Sequence, residues 1–318
     1  MTASAPRDHG GGLDGAAARW GGTRDAWLDL STGINPVSYP IPDIPGPDWT
    51  ALPDESAFSD LVAAARDFWA VPDGLDILPA PGASALIAAL PGLVPAGRVE
   101  IPGPTYNEHA AAFAAHGWAQ GTGPGAAFVA VHPNNPNGRL WQAEEIPTDR
   151  ALTVLDESFC DIAPETSLIP LAARPRTVIL KSFGKFWGLA GLRLGFAIGQ
   201  AETLAPLRDR IGPWAVSGPA LRVGALALRD TGWAAKTRAR LERDAARLDA
   251  LATGFGWSVT GGTALFRLYD TPDASAAQDR LTRRQIWTRR FPYSDRWLRL
   301  GLPGTEADWG RVARALSP

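Results

Sequence analysis

Leu180-Lys181-Ser182-Phe183-Gly184-Lys185, followed by Gly191-Leu192-Arg193-Leu194-Gly195, is the stretch that decides the fold. An apolar run ends here in a polar cluster. The cluster holds two of the three lysines in a chain of 318 residues, the third being Lys236. A lysine at the end of a buried strand is partly desolvated, which lowers its pKa and lets its amine attack a carbonyl. Ser182 and Arg193 can close around a phosphate, with the guanidinium offering a bidentate fork. Lys181 and Lys236 lack such neighbours and read as structural.

Outward from this stretch, apolar runs at residues 76–78, 98–101, 127–132, 152–155, 177–180 and 194–198 predict strands. Helical spacing at 56–70, 84–93 and 105–116 lies before or between them, with Phe58, Leu61, Val62, Ala65 and Trp69 on one side of the first. Strands alternating with helices predict an α/β fold with a mostly parallel sheet flanked by helices. Such sheets bind ligands at the carboxyl ends of their strands. After Gly218 the pattern changes to helices at 220–229 and 233–254, then strand-like pieces with helices at 274–284 and 306–316. The expected organisation is an N-terminal arm and connector over 1–50, a large domain over 51–216 and a smaller α+β domain over 217–318.

Composition excludes several classes. The net charge of −2 leaves no electrostatic footprint for nucleic acid or an anionic membrane. No run of about 18 apolar residues predicts a membrane span. The polar, Gly-rich start lacks the apolar core of a secretory signal. A single cysteine, Cys160, excludes an internal disulfide framework and fits a reducing compartment, so a cytoplasmic location is expected. No metal site is expected.

Three further strand ends carry polar residues. Pro81-Gly82-Ala83-Ser84 precedes a helix; small residues there let backbone N–H groups approach an anion, although a plain turn with Ser84 near the cap fits as well. In His132-Pro133-Asn134-Asn135-Pro136-Asn137-Gly138 a strand ends in an amide-rich turn, suited to turn geometry or to bonding a ring substituent. In Leu155-Asp156-Glu157-Ser158-Phe159 an acid follows an apolar run, so it is partly buried and needs a partner. Either it caps the next helix or it pairs with a cation such as a protonated ring nitrogen.

Taken in order, these motifs resemble the fold-type-I pyridoxal-5′-phosphate (PLP) enzymes, the superfamily of aspartate and histidinol-phosphate aminotransferases. The resemblance runs from about His9 to Arg299. It implies that Lys185 holds the cofactor covalently and that Asp156 pairs with the pyridine nitrogen. It assigns Asn135 to the ring hydroxyl, and Gly82, Ala83, Ser84, Ser182 and Arg193 to the cofactor phosphate. Tyr106 takes the place of the aromatic residue that stacks on the ring, and His109 that of a histidine touching the aspartate; a helix-surface histidine is the alternative. In Trp297-Leu298-Arg299-Leu300-Gly301, Arg299 matches the residue that binds the substrate α-carboxylate.

Within the superfamily, the chain resembles the threonine-phosphate decarboxylases of cobalamin biosynthesis. Asp8-His9-Gly10-Gly11 resembles their opening arm, and Ser31-Thr32-Gly33-Ile34-Asn35-Pro36 and Ile211-Gly212-Pro213-Trp214-Ala215-Val216-Ser217 resemble two further stretches. Phe159 stands where aminotransferases usually carry a tyrosine. The resemblance implies a phosphorylated amino acid as substrate, with His9 and Asn35 among its contacts, and a homodimer. Leu52, in Leu52-Pro53-Asp54, departs from the family's Tyr-Pro-Asp, whose tyrosine reaches the partner subunit's cofactor phosphate. A histidinol-phosphate-type aminotransferase is the alternative activity.

Overall fold

The computed structural model describes residues 9–317. Its contacts form two compact units, divided after Val37 and after Arg238. The first unit contains α1 (Leu13–Trp20) and the short strand β1 (Leu28–Asp29). The second contains α2 (Gly46–Thr50), α3 (Glu55–Phe68), β2 (Asp76–Ala80), α4 (Ala83–Ala89), β3 (Arg98–Glu100), α5 (Asn107–Ala115), β4 (Ala119–Gln120), β5 (Ala127–Val131), β6 (Leu152–Asp156), β7 (Thr177–Ser182), β8 (Gly195–Gly199), α6 (Ala201–Ile211) and α7 (Gly218–Arg229). The second division falls inside α8 (Thr231–Gly254). The first unit then resumes with β9 (Ser258–Thr263), β10 (Phe266–Asp270), α9 (Ala274–Thr282), β11 (Ile286–Trp287), β12 (Arg289–Phe291), β13 (Ser294–Gly301) and α10 (Glu306–Ala315).

The units divide the chain elsewhere than at residues 50 and 216. Helix α7 packs on α3, and Trp233, near the start of α8, stacks on Trp187 with ring centroids 5.3 Å apart. These apolar contacts keep α7 and the first turns of α8 with the second unit. At the N-terminus, β1 pairs in parallel with β11, which ties residues 28–29 to the C-terminal part of the chain. The stretch read as an arm and connector also forms α1 and α2, both short. Helix α6 goes unannounced in the sequence because Pro206 interrupts it and it buries only Leu204 and Leu207.

The second unit is built on a seven-stranded sheet in the order β2-β8-β7-β6-β5-β3-β4. Only β8 runs antiparallel to its neighbours, β2 and β7. Strands β5, β6 and β8 are buried at every position, as expected of a sheet covered on both faces. The register aligns their ends: Val131 pairs with Asp156, Asp156 with Leu180, and Gly195 with both Ser182 and Ala80. The carboxyl ends of β2, β5, β6 and β7 and the start of β8 therefore share one edge. The turns that follow those strands carry the polar motifs.

The first unit holds a four-stranded antiparallel sheet in the order β12-β13-β10-β9. Arg299, on β13, lies opposite Leu268 of β10 on one side and Arg289 of β12 on the other. Among the described residues, no helix is long and apolar enough to cross a membrane.

Candidate active site

At the shared sheet edge of the second unit lies a pocket lined by Ser84, Tyr106, Asn135, Asp156, Ser182 and Lys185, with Ala83, Phe159 and Arg193 also on its wall. Most of the residues expected at a cofactor are thus brought together. Gly82 and His109 stand just behind that wall. A Cβ on Gly82 would come within 2.6 Å of an Arg193 Nη atom, so only glycine leaves the guanidinium its place. Gly82 has a φ of 86°, a backbone conformation glycine adopts without strain. It precedes α4, whose start carries no side-chain cap, so the first N–H groups of that helix remain donors for an anion. Ser84 lies inside the first turn rather than at the cap.

Asp156 ends β6 and is 2% exposed. One carboxylate oxygen lies 2.8 Å from His109 Nε2; the other accepts from the Ser158 N–H at 3.0 Å and the Ser158 hydroxyl at 2.5 Å. Burial alone would raise its pKa, but the hydrogen bond and charge of His109, with the two Ser158 donors, hold it below the usual carboxylate range. His109 is itself buried, so it is a partner of the acid and not a surface residue of α5. The two adjacent asparagines divide their tasks. Asn134 donates to the Pro104 carbonyl and to Asn137, which shapes the turn, while Asn135 faces the pocket.

The loop after β7 is held by aromatic packing. Phe183, Phe186 and Trp187 are fully buried around Lys185, and Phe183 stacks on Trp187 at 5.1 Å. Lys185 Nζ lies in the pocket, 5.3 Å from the Phe159 ring centroid. Lys181 is different. Its ammonium is buried 2.6 Å from Glu157 and 3.5 Å from Asp161. Burial favours its neutral form, but Glu157, Cys160 and Asp161 outweigh that and raise its pKa. Lys181 stays charged and is no nucleophile. It also closes the one cluster of metal-ligand type among the described residues, His132, Glu157 and Cys160. Both nitrogens of His132 are engaged there, with the Thr166 carbonyl at 2.7 Å and the Trp141 N–H at 3.0 Å.

The first unit holds a second polar centre. Arg299 is 5% exposed, and burial together with the charge of Arg289 pushes its pKa down to about 10. It donates to the Ser31 carbonyl. The Ser31 hydroxyl in turn donates to Asp29 and accepts the Gly11 N–H, each at 2.6 Å, while Trp287 Nε1 donates to the Gly11 carbonyl at 2.8 Å. A Cβ on Gly10 would lie 2.4 Å from the Ser31 carbonyl oxygen. The glycines after His9 therefore let the arm lie against the segment that Arg299 also grips. His9 and Arg289 line one cavity of this unit, and Asn35 is buried. Arg289 is the residue sequence reasoning missed. Its signal was present: Ile286-Trp287-Thr288-Arg289 is a strand-like run ending in a base, like that around Arg299.

The sequence profile of the family "aminotransferase class I and II" matches residues 60–316, and the chain belongs to that family. It is 42% identical to a threonine-phosphate decarboxylase of a Sinorhizobium species, over 99% of this chain and 98% of that one. A threonine-phosphate decarboxylase of Pseudomonas aeruginosa is 40% identical, over 97% of each. Among solved structures, the histidinol-phosphate aminotransferase of Sinorhizobium meliloti, in complex with pyridoxal-5′-phosphate, shares the fold with a TM-score of 0.81 at 20% identity, covering 99% of this chain and 97% of its own.

The second-unit pocket fits PLP on its own chemistry. It offers one amine, one buried carboxylate kept ionised, and a phosphate cradle of helix N–H groups, Ser182 and Arg193. The buried Asp156–His109 pair makes a direct test. A depressed carboxylate pKa contributes stability that is present above the ordinary value and lost as pH falls through the folded one. His109→Ala should therefore cost about 3 kcal/mol near neutral pH, with the deficit shrinking towards acid. Thermal melts of wild type and variant across that range check this; a deficit independent of pH contradicts it.

Proposed function

We propose that the chain decarboxylates L-threonine O-3-phosphate to 1-aminopropan-2-yl phosphate, with PLP as cofactor, in cobalamin biosynthesis. The observation that carries this reading is the pair of guanidiniums on facing strands, Arg299 and Arg289, with Arg289 disfavouring the charge on Arg299. Two cations built side by side suit a ligand with two anionic groups, here a carboxylate and a phosphate. Identity of 40–42% to two threonine-phosphate decarboxylases over nearly the whole chain supports it.

When bound, PLP supplies the electron sink that takes up the pair left by a broken Cα bond. Lys185 would hold the cofactor through Nζ, and its amine is placed in the pocket to carry a proton to the substrate Cα in place of the departing carboxylate. Asp156, kept ionised by His109 and Ser158, would accept from the ring N–H. Asn135 would bond the ring hydroxyl, Tyr106 would lie against the ring, and Gly82, Ala83, Ser84, Ser182 and Arg193 would hold the phosphate. Arg299 would take the substrate α-carboxylate, with Asn35 a further substrate contact, while Arg289 and His9 would take the substrate phosphate. By gripping both ends they set the torsion that turns the Cα–carboxylate bond, and not Cα–H, towards cleavage. Phe159 offers the ring no hydroxyl.

A homodimer belongs to this reading. It is supported by exposed apolar side chains on the second unit, Trp49 at 66% and Leu52 at 64%. Leu52 has no group to donate to a phosphate, so no trans hydrogen bond is assigned to it. A cytoplasmic enzyme suits the buried thiol of Cys160, pushed up to about 12 by burial and unreactive as such.

Incubation with L-threonine O-3-phosphate should release CO₂ with no keto acid present. Dependence on 2-oxoglutarate with amino transfer and no CO₂ would overturn the reading in favour of an aminotransferase. The proposed phosphate contacts have their own check in steady-state kinetics. Arg289→Ala and His9→Ala should each raise KM for the phosphorylated substrate, the former about tenfold or more. An unchanged KM removes the residue from the site.

A further inference from the structure

We propose that Phe159 is a positioning residue that acts through Lys185: the face of its ring favours the ammonium form of that lysine, and so biases the site towards giving a proton to the substrate Cα rather than taking one. The inference deepens the decarboxylase reading and rests on it for the identity of the proton acceptor.

The turn after β6 carries Phe159 into the wall of the pocket, where the residue is 4% exposed. Lys185 Nζ stands over the face of that ring, 5.3 Å from its centroid. An aromatic face carries partial negative charge and attracts a cation within about 6 Å, more strongly where water is excluded. It does little for a neutral amine. Burial acts the other way and favours the neutral form, so the ring offsets part of the desolvation of Lys185. The other titratable or charged side chains on the pocket wall are Asp156 at the end of β6, Tyr106 just before α5 and Arg193 just before β8. His109 acts there through Asp156, and Lys181 is tied to Glu157 and Asp161. An acid and a guanidinium act on an ammonium in opposite senses. The ring differs from both: it stabilises the cation without being a base that competes for its proton.

The direction of proton movement separates two reactions. Loss of the carboxylate as CO₂ leaves an electron pair at Cα. One N–H bond of Lys185 then breaks with its pair left on Nζ, and a Cα–H bond forms from the pair the carboxylate left behind. Nζ ends as a neutral amine and regains its proton from water. Amino transfer begins in the opposite sense, with the Cα–H bond broken and the proton taken up by a neutral amine. A lysine serves the first reaction as an ammonium and the second as an amine, so a neighbour that favours the ammonium selects between them.

The test reads the protonation of Lys185 without turnover. In the full chain freed of cofactor, acetic anhydride acetylates the neutral amine, and mass mapping of the Lys185 peptide across pH gives its midpoint. Phe159→pentafluorophenylalanine keeps the outline of the ring and reverses the charge of its face. It should lower the midpoint by about half a unit or more, seen as labelling about threefold faster below it. Phe159→Leu should repeat the shift, and it keeps the test open should the fluorinated chain fail to fold. Phe159→Tyr keeps the face and should stay close to wild type. Lys236, exposed on α8, serves as the reference and should not move. The alkaline limb of CO₂ release from L-threonine O-3-phosphate should move to lower pH by the same amount. A Lys185 midpoint unmoved by loss of the π face overturns the proposal. So does a moved midpoint with an unmoved alkaline limb, or a shift in Phe159→Tyr as large as that in Phe159→Leu. No CO₂ from the wild type, with the midpoint shift intact, counts against the decarboxylase reading alone.

Discussion

The ionised carboxylate of Asp156 is the constraint around which the second unit is arranged. A buried anion without partners costs several kcal/mol. Here His109 comes from α5 and Ser158 from the turn after β6, so three hydrogen bonds converge on one side chain. The pair fixes α5 against the end of β6, and with it Tyr106 at the start of the helix, 6.1 Å from the His109 ring. An acid kept charged at the carboxyl end of a parallel sheet suits a cationic partner such as the ring nitrogen proposed for it. The chemistry the fold can perform follows from that arrangement.

A second buried network keeps the neighbouring strand ends in register. Lys181 bridges Glu157 and Asp161, and Asp161 also accepts from the indole N–H groups of Trp69 at 2.9 Å and Trp187 at 3.0 Å. Glu157 and Lys181 directly adjoin Asp156 and Ser182 in the chain. The ion pair thus links the turn after β6 to the end of β7, and the stacked aromatics carry the same rigidity to the loop of Lys185. One lysine is sequestered as a permanent cation. The other, four residues on, is kept in the pocket as a potential nucleophile.

Much of this was legible in the sequence. Continuous apolar runs gave strands β2, β5, β6 and β7 to within a residue or two, because strands buried on both faces leave little room for polar positions. The order Gly82, Asn135, Asp156, Lys185, Arg193 along the chain already placed the pocket. Other features were not legible. Helix α6 hides behind Pro206, and α2 is too short to show a period. The division after Arg238 depends on Trp233 stacking with Trp187, a contact between distant residues that no local pattern encodes. Arg289 escaped notice because its meaning comes from β12 pairing with β13, which only the register discloses.

The central claim is that Lys185, and not the neighbouring Lys181, carries the cofactor. Borohydride reduction of the PLP-loaded enzyme followed by peptide mass mapping tests it directly. The visible absorbance should be lost, and one phosphopyridoxyl mass should be fixed on Lys185. A label on Lys181, or no label on any lysine of the loaded enzyme, would contradict the claim.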